Sequence, residues 1–185
     1  MNTWFCSDLH FSHWNIAQYA HRPFKTVEQM NEALIRNWNS RVKKHDIVFH
    51  LGDFCFRNSA GGKEGEGTMN KAEDYLDKLN GHITFIQGNH DKNNSLNAII
   101  KHAVIELAGQ EIFLVHNPEE INTKYKINLV GHVHDLWKIK KINHSYIVNV
   151  GVDVNNWHPI NINEILAIIA KFEKDGNGQH DTANK

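Results

Sequence analysis

Residues 82–91 read His-Ile-Thr-Phe-Ile-Gln-Gly-Asn-His-Asp. The stretch His82–Gln87 is short and rich in Ile and Phe, and a glycine bounds it, which predicts a strand. Directly behind it stands Gly88-Asn89-His90-Asp91, where an amide, an imidazole and a carboxylate follow a glycine. A turn alone would account for Gly, Asn and Asp, since all three favour turns. The same arrangement recurs along the chain. Asp8-Leu9-His10, Gly52-Asp53, His116-Asn117 and Gly131-His132-Val133-His134 each follow an apolar run as well.

The runs in question are Asn2–Ser7, Asp46–Leu51, Glu111–Val115 and Ile127–Val130, with Ser145–Val150 as a further one. They are nearly continuous in apolar character, as strands buried on both faces are. Val104–Leu107 is a weaker strand, expected to pair with Glu111–Val115 through Ala108-Gly109-Gln110, and Leu136–Ile142 holds another short one. Helical periodicity covers three segments. Thr26 caps the first, with Gln29 as its capping-box partner, and Val27, Met30, Leu34 and Trp38 face inward. The second spans about Lys71–Leu79, with Gly81 as its stop signal. The third spans about Asn163–Lys174, with Asn163 as cap and Ile165, Leu166, Ile168, Ile169 and Phe172 as its buried stripe. Strands alternate with helices early and cluster late, which predicts a layered α/β domain with a mixed sheet or two stacked sheets.

A chain of 185 residues suits one domain, here expected over 1–175, with 176–185 as a polar, frayed tail. Ser59–Thr68 holds Gly61, Gly62, Gly65 and Gly67 and almost nothing apolar, so it reads as a mobile surface loop beside the site or as an inert insertion. With 20 basic and 21 acidic residues, the net charge of −1 sets up no global field for nucleic acid. Cys6 and Cys55 lie in apolar runs and read as packed thiols, which suits a reducing cytoplasm. The first residues have neither the basic nor the apolar part of a secretion signal, and no run approaches a membrane span.

Histidine is over-used: there are 14, scattered, many at the ends of apolar runs. Neutral imidazole is the commonest side-chain metal ligand. In an open α/β sheet the crevice at the carboxyl ends of the strands is where sites form, so segments distant in sequence can converge there. Asp8 and His10 are two apart and would point to one side of an extended chain, as would His132 and His134. Glycines before the ligands permit tight turns and close backbone approach. Asp, Asn and His without cysteine disfavour a structural zinc site. They suit Mn²⁺, Fe or Zn²⁺ in open, water-bearing coordination. The ligand set exceeds what one ion needs, and a pair of ions sharing a carboxylate fits it better. Such a pair could hold both the attacking and the leaving oxygen of a phosphoryl displacement.

Asp-x-His, Gly-Asp, Gly-Asn-His-Asp, a strand-end His and Gly-His-x-His, in that order from Asp8 to His134, resemble the calcineurin-like metallophosphoesterase superfamily. Arg22-Pro23-Phe24, Asn37-Trp38-Asn39 and His50-Leu51-Gly52-Asp53-Phe54 look like a compact bacterial or phage branch of it. The resemblance implies a four-layer α/β sandwich of mixed sheets flanked by helices, with a dinuclear site. It implies that Asp8, His10 and His134 hold one metal, that Asn89, His116 and His132 hold the other, and that Asp53 bridges. His90 would contact the phosphate and help expel the leaving group, with Asp91 orienting it. Two divalent ions, Mn²⁺ first with Fe or Zn²⁺ as alternatives, would be the cofactors.

Further residues are open to two readings. His13 touches substrate or a ligand, or sits at the surface. Arg22 and Arg57 each grip a phosphate through a planar fork or close a loop salt bridge. The run Asn149–Asp153 lines the site or forms a structural turn. The expected activity is hydrolysis of a phosphate mono- or diester on a small, nucleotide-like substrate in the cytoplasm. Nucleic-acid end processing and a non-catalytic binding module on the same fold are the competing readings. Near-neutral charge weighs against the former, and the full ligand set against the latter.

Overall fold

Strand formation follows the apolar runs, and their direction explains where the site lies. The computed structural model describes residues 1–56, 71–91, 96 and 98–176. In chain order the elements are β1 (Thr3–Cys6), α1 (Trp14–Tyr19), α2 (Val27–Arg41), β2 (Ile47–Leu51), α3 (Ala72–Leu76), β3 (His82–Ile86) and β4 (His102–Leu107). There follow β5 (Gln110–Val115), β6 (Ile127–Val130), β7 (Ile139–Ile142), β8 (Ser145–Asn149), β9 (Ile160–Asn161) and α4 (Ile162–Lys174).

Two mixed sheets form. The first has the order β3-β2-β1-β9, and the second β4-β5-β6-β8-β7. Strands β1, β2 and β3 run parallel, with β9 antiparallel at the edge. In the second sheet β5, β6 and β8 run parallel between the antiparallel edges β4 and β7. All five metal-capable segments therefore leave the carboxyl ends of parallel strands. An isolated parallel bridge, Ser7 to Gly151, joins the two sheets at that end.

Side-chain alternation divides the core. Trp4 and Cys6 of β1 face α1, α2 and α3, where Ile16, Met30, Leu34, Trp38 and Tyr75 pack. Phe5 faces the other way, into a layer between the sheets with Leu51, Ile86, Leu114, Leu129 and Val148. Helix α4 brings Ile165 and Ile169 into that same layer. On the far face of the second sheet, Phe113, Val115, Val130 and Ile147 are covered by Ile121, Tyr125 and Trp137. The fourth layer of the expected sandwich is thus made, among the described residues, by loop side chains. Cys6 and Cys55 are buried. Burial pushes both thiols well above their ordinary range.

Several boundaries differ from expectation. Helix α4 is capped by Asn161, not Asn163: its side chain accepts from Asn163 N and Glu164 N, and Glu164 reaches back to Asn161 N at 3.0 Å. Thr26 does accept from Gln29 N, but Gln29 Oε1 answers to Lys25 N. Helix α3 stops at Leu76 because Lys78 and Leu79 donate to Tyr75 and Leu76, three residues back. The β4–β5 hairpin turns on Ala108 and Gly109, both at positive φ, as a two-residue turn requires. Leu136 lies outside the short strand expected for it, since β7 begins at Ile139. Residues 57–70 and 177–185, with Arg57, the Ser59–Thr68 loop and most of the tail, lie outside the described residues. No helix among the described residues is long and apolar enough to cross a membrane.

Candidate active site

The chain leaves β1 in an unusual conformation. Asp8, His10 and Ser12 have φ values of 57°, 49° and 62°, so alternate residues are left-handed. The segment is held in register with the one after β2: Asp8 N donates to Gly52 O, His10 N to Asp53 O and Phe11 N to Phe54 O, each at 3.0 Å. From the other side, Asn31 Oδ1 accepts from Ser12 N, and Asn31 Nδ2 donates to the Tyr75 hydroxyl. Asp8 and His10 are therefore not the extended pair that their spacing suggested, yet they still converge. Asp53, His132 and His134 are left-handed as well, at 58°, 71° and 46°. Left-handed non-glycine residues cost roughly 1–3 kcal/mol each and cluster where function requires them.

Two groups of side chains result. Asp8, His10 and His134 bring one ligand atom each within 4.8 Å of one another, and Asp53, His116 and His132 do the same. Asn89 joins the second group, with Oδ1 3.0 Å from His116 Nε2 and 2.9 Å from His132 Nδ1. Asp53 lies between the groups. Its Oδ2 is 3.5 Å from His10 Nε2 and 3.4 Å from His116 Nε2. Its Oδ1 accepts from His90 N at 2.9 Å. Close approach explains the adjacent glycine: a Cβ on Gly88 would stand 2.2 Å from Asp53 Oδ1.

The residues behind these side chains fix their orientation. Asp8 Oδ2 accepts from Ser7 Oγ at 2.6 Å, and His132 N points at the Asp8 carboxylate. His116 Nδ1 donates to Leu51 O at 2.7 Å, which aims its Nε2 at Asp53 and Asn89. His134 Nδ1 donates to Asp153 Oδ2 at 2.9 Å. Asn149 Nδ2 donates to His134 O and Trp137 O, so the Asn149–Asp153 run supports the site from behind. Asp91 acts on the main chain: its carboxylate accepts from Gly88 N, Asp53 N and Phe54 N at 2.8–3.2 Å. Asp91 thus ties together the loops that carry His90 and Asp53.

Electrostatics follows from burial and these contacts. Burial raises the Asp8 carboxyl above its ordinary value. Burial would also raise Asp53, but the hydrogen bond and charge of His116 hold it below. Burial, with the Arg22 charge, drives His10 down, so this ring is neutral. For His116 burial is outweighed by Asp53 and Asp8, which push it up to about 9. His10 Nε2 is buried, has no hydrogen-bond partner and faces Asp53. An orphaned imidazole nitrogen beside carboxylates suits a metal-holding role, since burying a polar atom unsatisfied is costly. The residues fit a pair of divalent cations.

Around the ligands lie the remaining candidates. The His90 ring centroid is 5.5 Å from that of His10. His13 stands between His10, whose Nδ1 is 3.4 Å from its own, and Phe56, on which it stacks at 4.3 Å. Arg22, open between a phosphate grip and a salt bridge, makes the salt bridge: Nε donates to Asp153 Oδ1 at 2.9 Å in a buried pair. Beside the second group opens a cleft of about 220 Å³, walled by Gln87, Lys101, Asn117 and Glu120 along with the ligands. Lys101 and Glu120 escaped sequence reasoning, and Asp153 was reached only as a member of the Asn149–Asp153 run. Asp153 alone carried a signal, its place at the end of a run that follows a strand.

The chain is similar to known proteins along nearly its whole length. It is 38% identical to an uncharacterised protein of Methanocaldococcus jannaschii over 173 residues, which covers 89% of each chain. It is 26% identical to the Gene 66 protein of Mycobacterium phage L5, covering 82% of this chain and 86% of that one. A solved structure, a protein of unknown function from Aquifex aeolicus, superposes with a TM-score of 0.66 at 25% identity, covering 90% of this chain and 98% of that one. The model of the calcineurin-like phosphoesterase superfamily domain matches residues 1–163. With metal-capable side chains gathered at the strand ends of two stacked mixed sheets, the chain belongs to the calcineurin-like phosphoesterase superfamily.

Proposed function

We propose that this protein hydrolyses a phosphate mono- or diester of a small, nucleotide-like substrate with two divalent metal ions, Mn²⁺ first among the candidates. The observation that carries the reading is Asp53 Oδ2, equidistant within 0.1 Å (3.5 and 3.4 Å) from His10 of one ligand group and His116 of the other. A carboxylate oxygen in that position suits a bridge. Asp8, His10 and His134 would hold one ion, and Asn89, His116 and His132 the other. When bound, the ions supply Lewis acidity, which lowers the pKa of water and offsets charge on phosphoryl oxygens.

The chain's own residues do the rest. His90 is exposed at the mouth of the first ligand group, where its ring can donate to a phosphoryl or leaving-group oxygen. The hydrogen bond from its backbone N–H to Asp53 ties that donor to the proposed bridge. Asp91 keeps both loops fixed through three amides, so little reorganisation is needed. His13, held against Phe56, can reach the same phosphate. The cleft beside the second group has Lys101, Glu120, Gln87 and Asn117 to meet a polar substrate moiety.

The test is a panel with Mn²⁺-loaded protein: p-nitrophenyl phosphate, its bis ester, and cyclic and linear nucleotides. Hydrolysis of at least one, abolished by chelator and restored by Mn²⁺, is expected. No turnover of any by fully loaded protein would leave the binding-module reading standing in its place.

A further inference from the structure

Behind the first ligand group lies a buried ion pair that bonds to members of that group. The side chains of Arg22 and Asp153 are both 0% exposed. Arg22 Nε donates to Asp153 Oδ1 at 2.9 Å and Nη2 to Asp153 Oδ2 at 3.1 Å. The same guanidinium donates to main chain on its far side, Nη2 to Asp8 O at 2.6 Å and Nη1 to Leu9 O at 2.9 Å. Asp153 Oδ2 then accepts from His134 Nδ1 at 2.9 Å. Arg22 also lies 5.6 Å from the centre of the Trp157 ring, so its plane is packed as well as bonded.

These contacts join two distant pieces of chain. Asp8 and His10 leave β1, whereas His134 comes from the loop after β6. One guanidinium grips the peptide carbonyls of Asp8 and Leu9 and, through Asp153, the imidazole of His134. Stability alone is a weak reason for such a pair, because desolvating two charges costs about what their attraction returns. Positioning is a better one. A carboxylate on Nδ1–H fixes the tautomer and leaves the Nε2 lone pair of His134 for a metal, and loss of such a partner typically weakens metal affinity by about 10–100-fold. A lysine could not replace the fork, since a single ammonium cannot meet two carboxylate oxygens and two carbonyls at these positions.

We propose that Arg22 and Asp153 are positioning residues that preassemble Asp8, His10 and His134, and so set the affinity of that metal position separately from the one at Asn89, His116 and His132. The inference rests on the two-metal reading above and adds that the positions are separable.

The full chain, stripped with chelator, is titrated with Mn²⁺ by calorimetry and electron paramagnetic resonance. Two tight equivalents and an exchange-coupled signal are expected for the unaltered protein. In Asp153→Asn one equivalent should weaken about 10–100-fold while the other holds, and the signal at one equivalent should become that of an isolated ion. Arg22→Lys should split the titration in the same sense. Asp135→Asn, which alters only the exposed partner of His21, should leave both equivalents tight. Circular dichroism of the metal-free proteins checks folding, and if Asp153→Asn does not fold, Arg22→Lys carries the test. Two unchanged equivalents in a folded variant, or equal weakening of both, would overturn the proposal alone. An unaltered protein that binds no Mn²⁺ would overturn the two-metal reading and this inference with it.

Discussion

At the scale of single residues, backbone strain accompanies side-chain chemistry at the site. Five of the seven proposed ligands, Asp8, His10, Asp53, His132 and His134, are left-handed. At roughly 1–3 kcal/mol each, that strain rivals the 5–15 kcal/mol by which a domain is typically stable. Asn89 and His116 escape it. Two predictions belong here. His90→Ala should lower kcat by about 10²–10⁴-fold and leave Mn²⁺ stoichiometry unchanged, as steady-state kinetics with metal analysis would read, because His90 is proposed to act on substrate and not to bind metal. Mn²⁺ affinity should also rise with pH. Asp53 and Asp8 push His116 up to about 9, so a metal held there as proposed would have to displace a proton. Calorimetry should find apparent affinity climbing by up to about tenfold per pH unit below that value and levelling above it, with proton release on binding. Candidate metal-binding residues were legible in the sequence because few residue types can hold a hard or borderline cation. The partners behind them were not: Arg22 could be read two ways, and Lys101 follows no motif.

Elements were legible where an apolar pattern was long enough to show its period. Helix α2 buries Val27, Met30, Leu34 and Trp38 as its 3.6-residue spacing requires. The six-residue α1 and the two-residue β9 are too short to carry a period, and both are set by tertiary contact: β9 exists only as an edge partner of β1. The start of α4 was misread because two asparagines compete. Glu164 decides between them, since it stands three residues after Asn161 and closes a capping box there. Asn161→Ala should therefore cost about 1 kcal/mol in urea unfolding, and Asn163→Ala much less, because Asn161 alone satisfies the first turn. Equal effects would return the cap to Asn163.

For the molecule as a whole, parallel direction is what makes the site. Strands β1, β2, β3, β5 and β6 all end at one crevice, and β8 delivers the Asn149–Asp153 run beside them. The sequence could locate strand ends but not which strands neighbour one another, so the convergence was an expectation from sheet topology in general. Metal bound as proposed would tie both sheets together and so couple to global stability. Mn²⁺ at about a hundred times its dissociation constant contributes about 2.7 kcal/mol per position. For a domain of this size each kcal/mol is worth roughly 2–4 °C. A thermal melt should move upward by several degrees with Mn²⁺ and fall back with chelator; an unmoved melt would mean that the folded chain does not prefer the ion.

The most direct test of the account is an anomalous difference map from crystals soaked in Mn²⁺. Two peaks are expected, about 3.5–4 Å apart. Asp53 should touch both, with Asp8, His10 and His134 on one and Asn89, His116 and His132 on the other. A single peak, or a pair that Asp53 does not bridge, would contradict it.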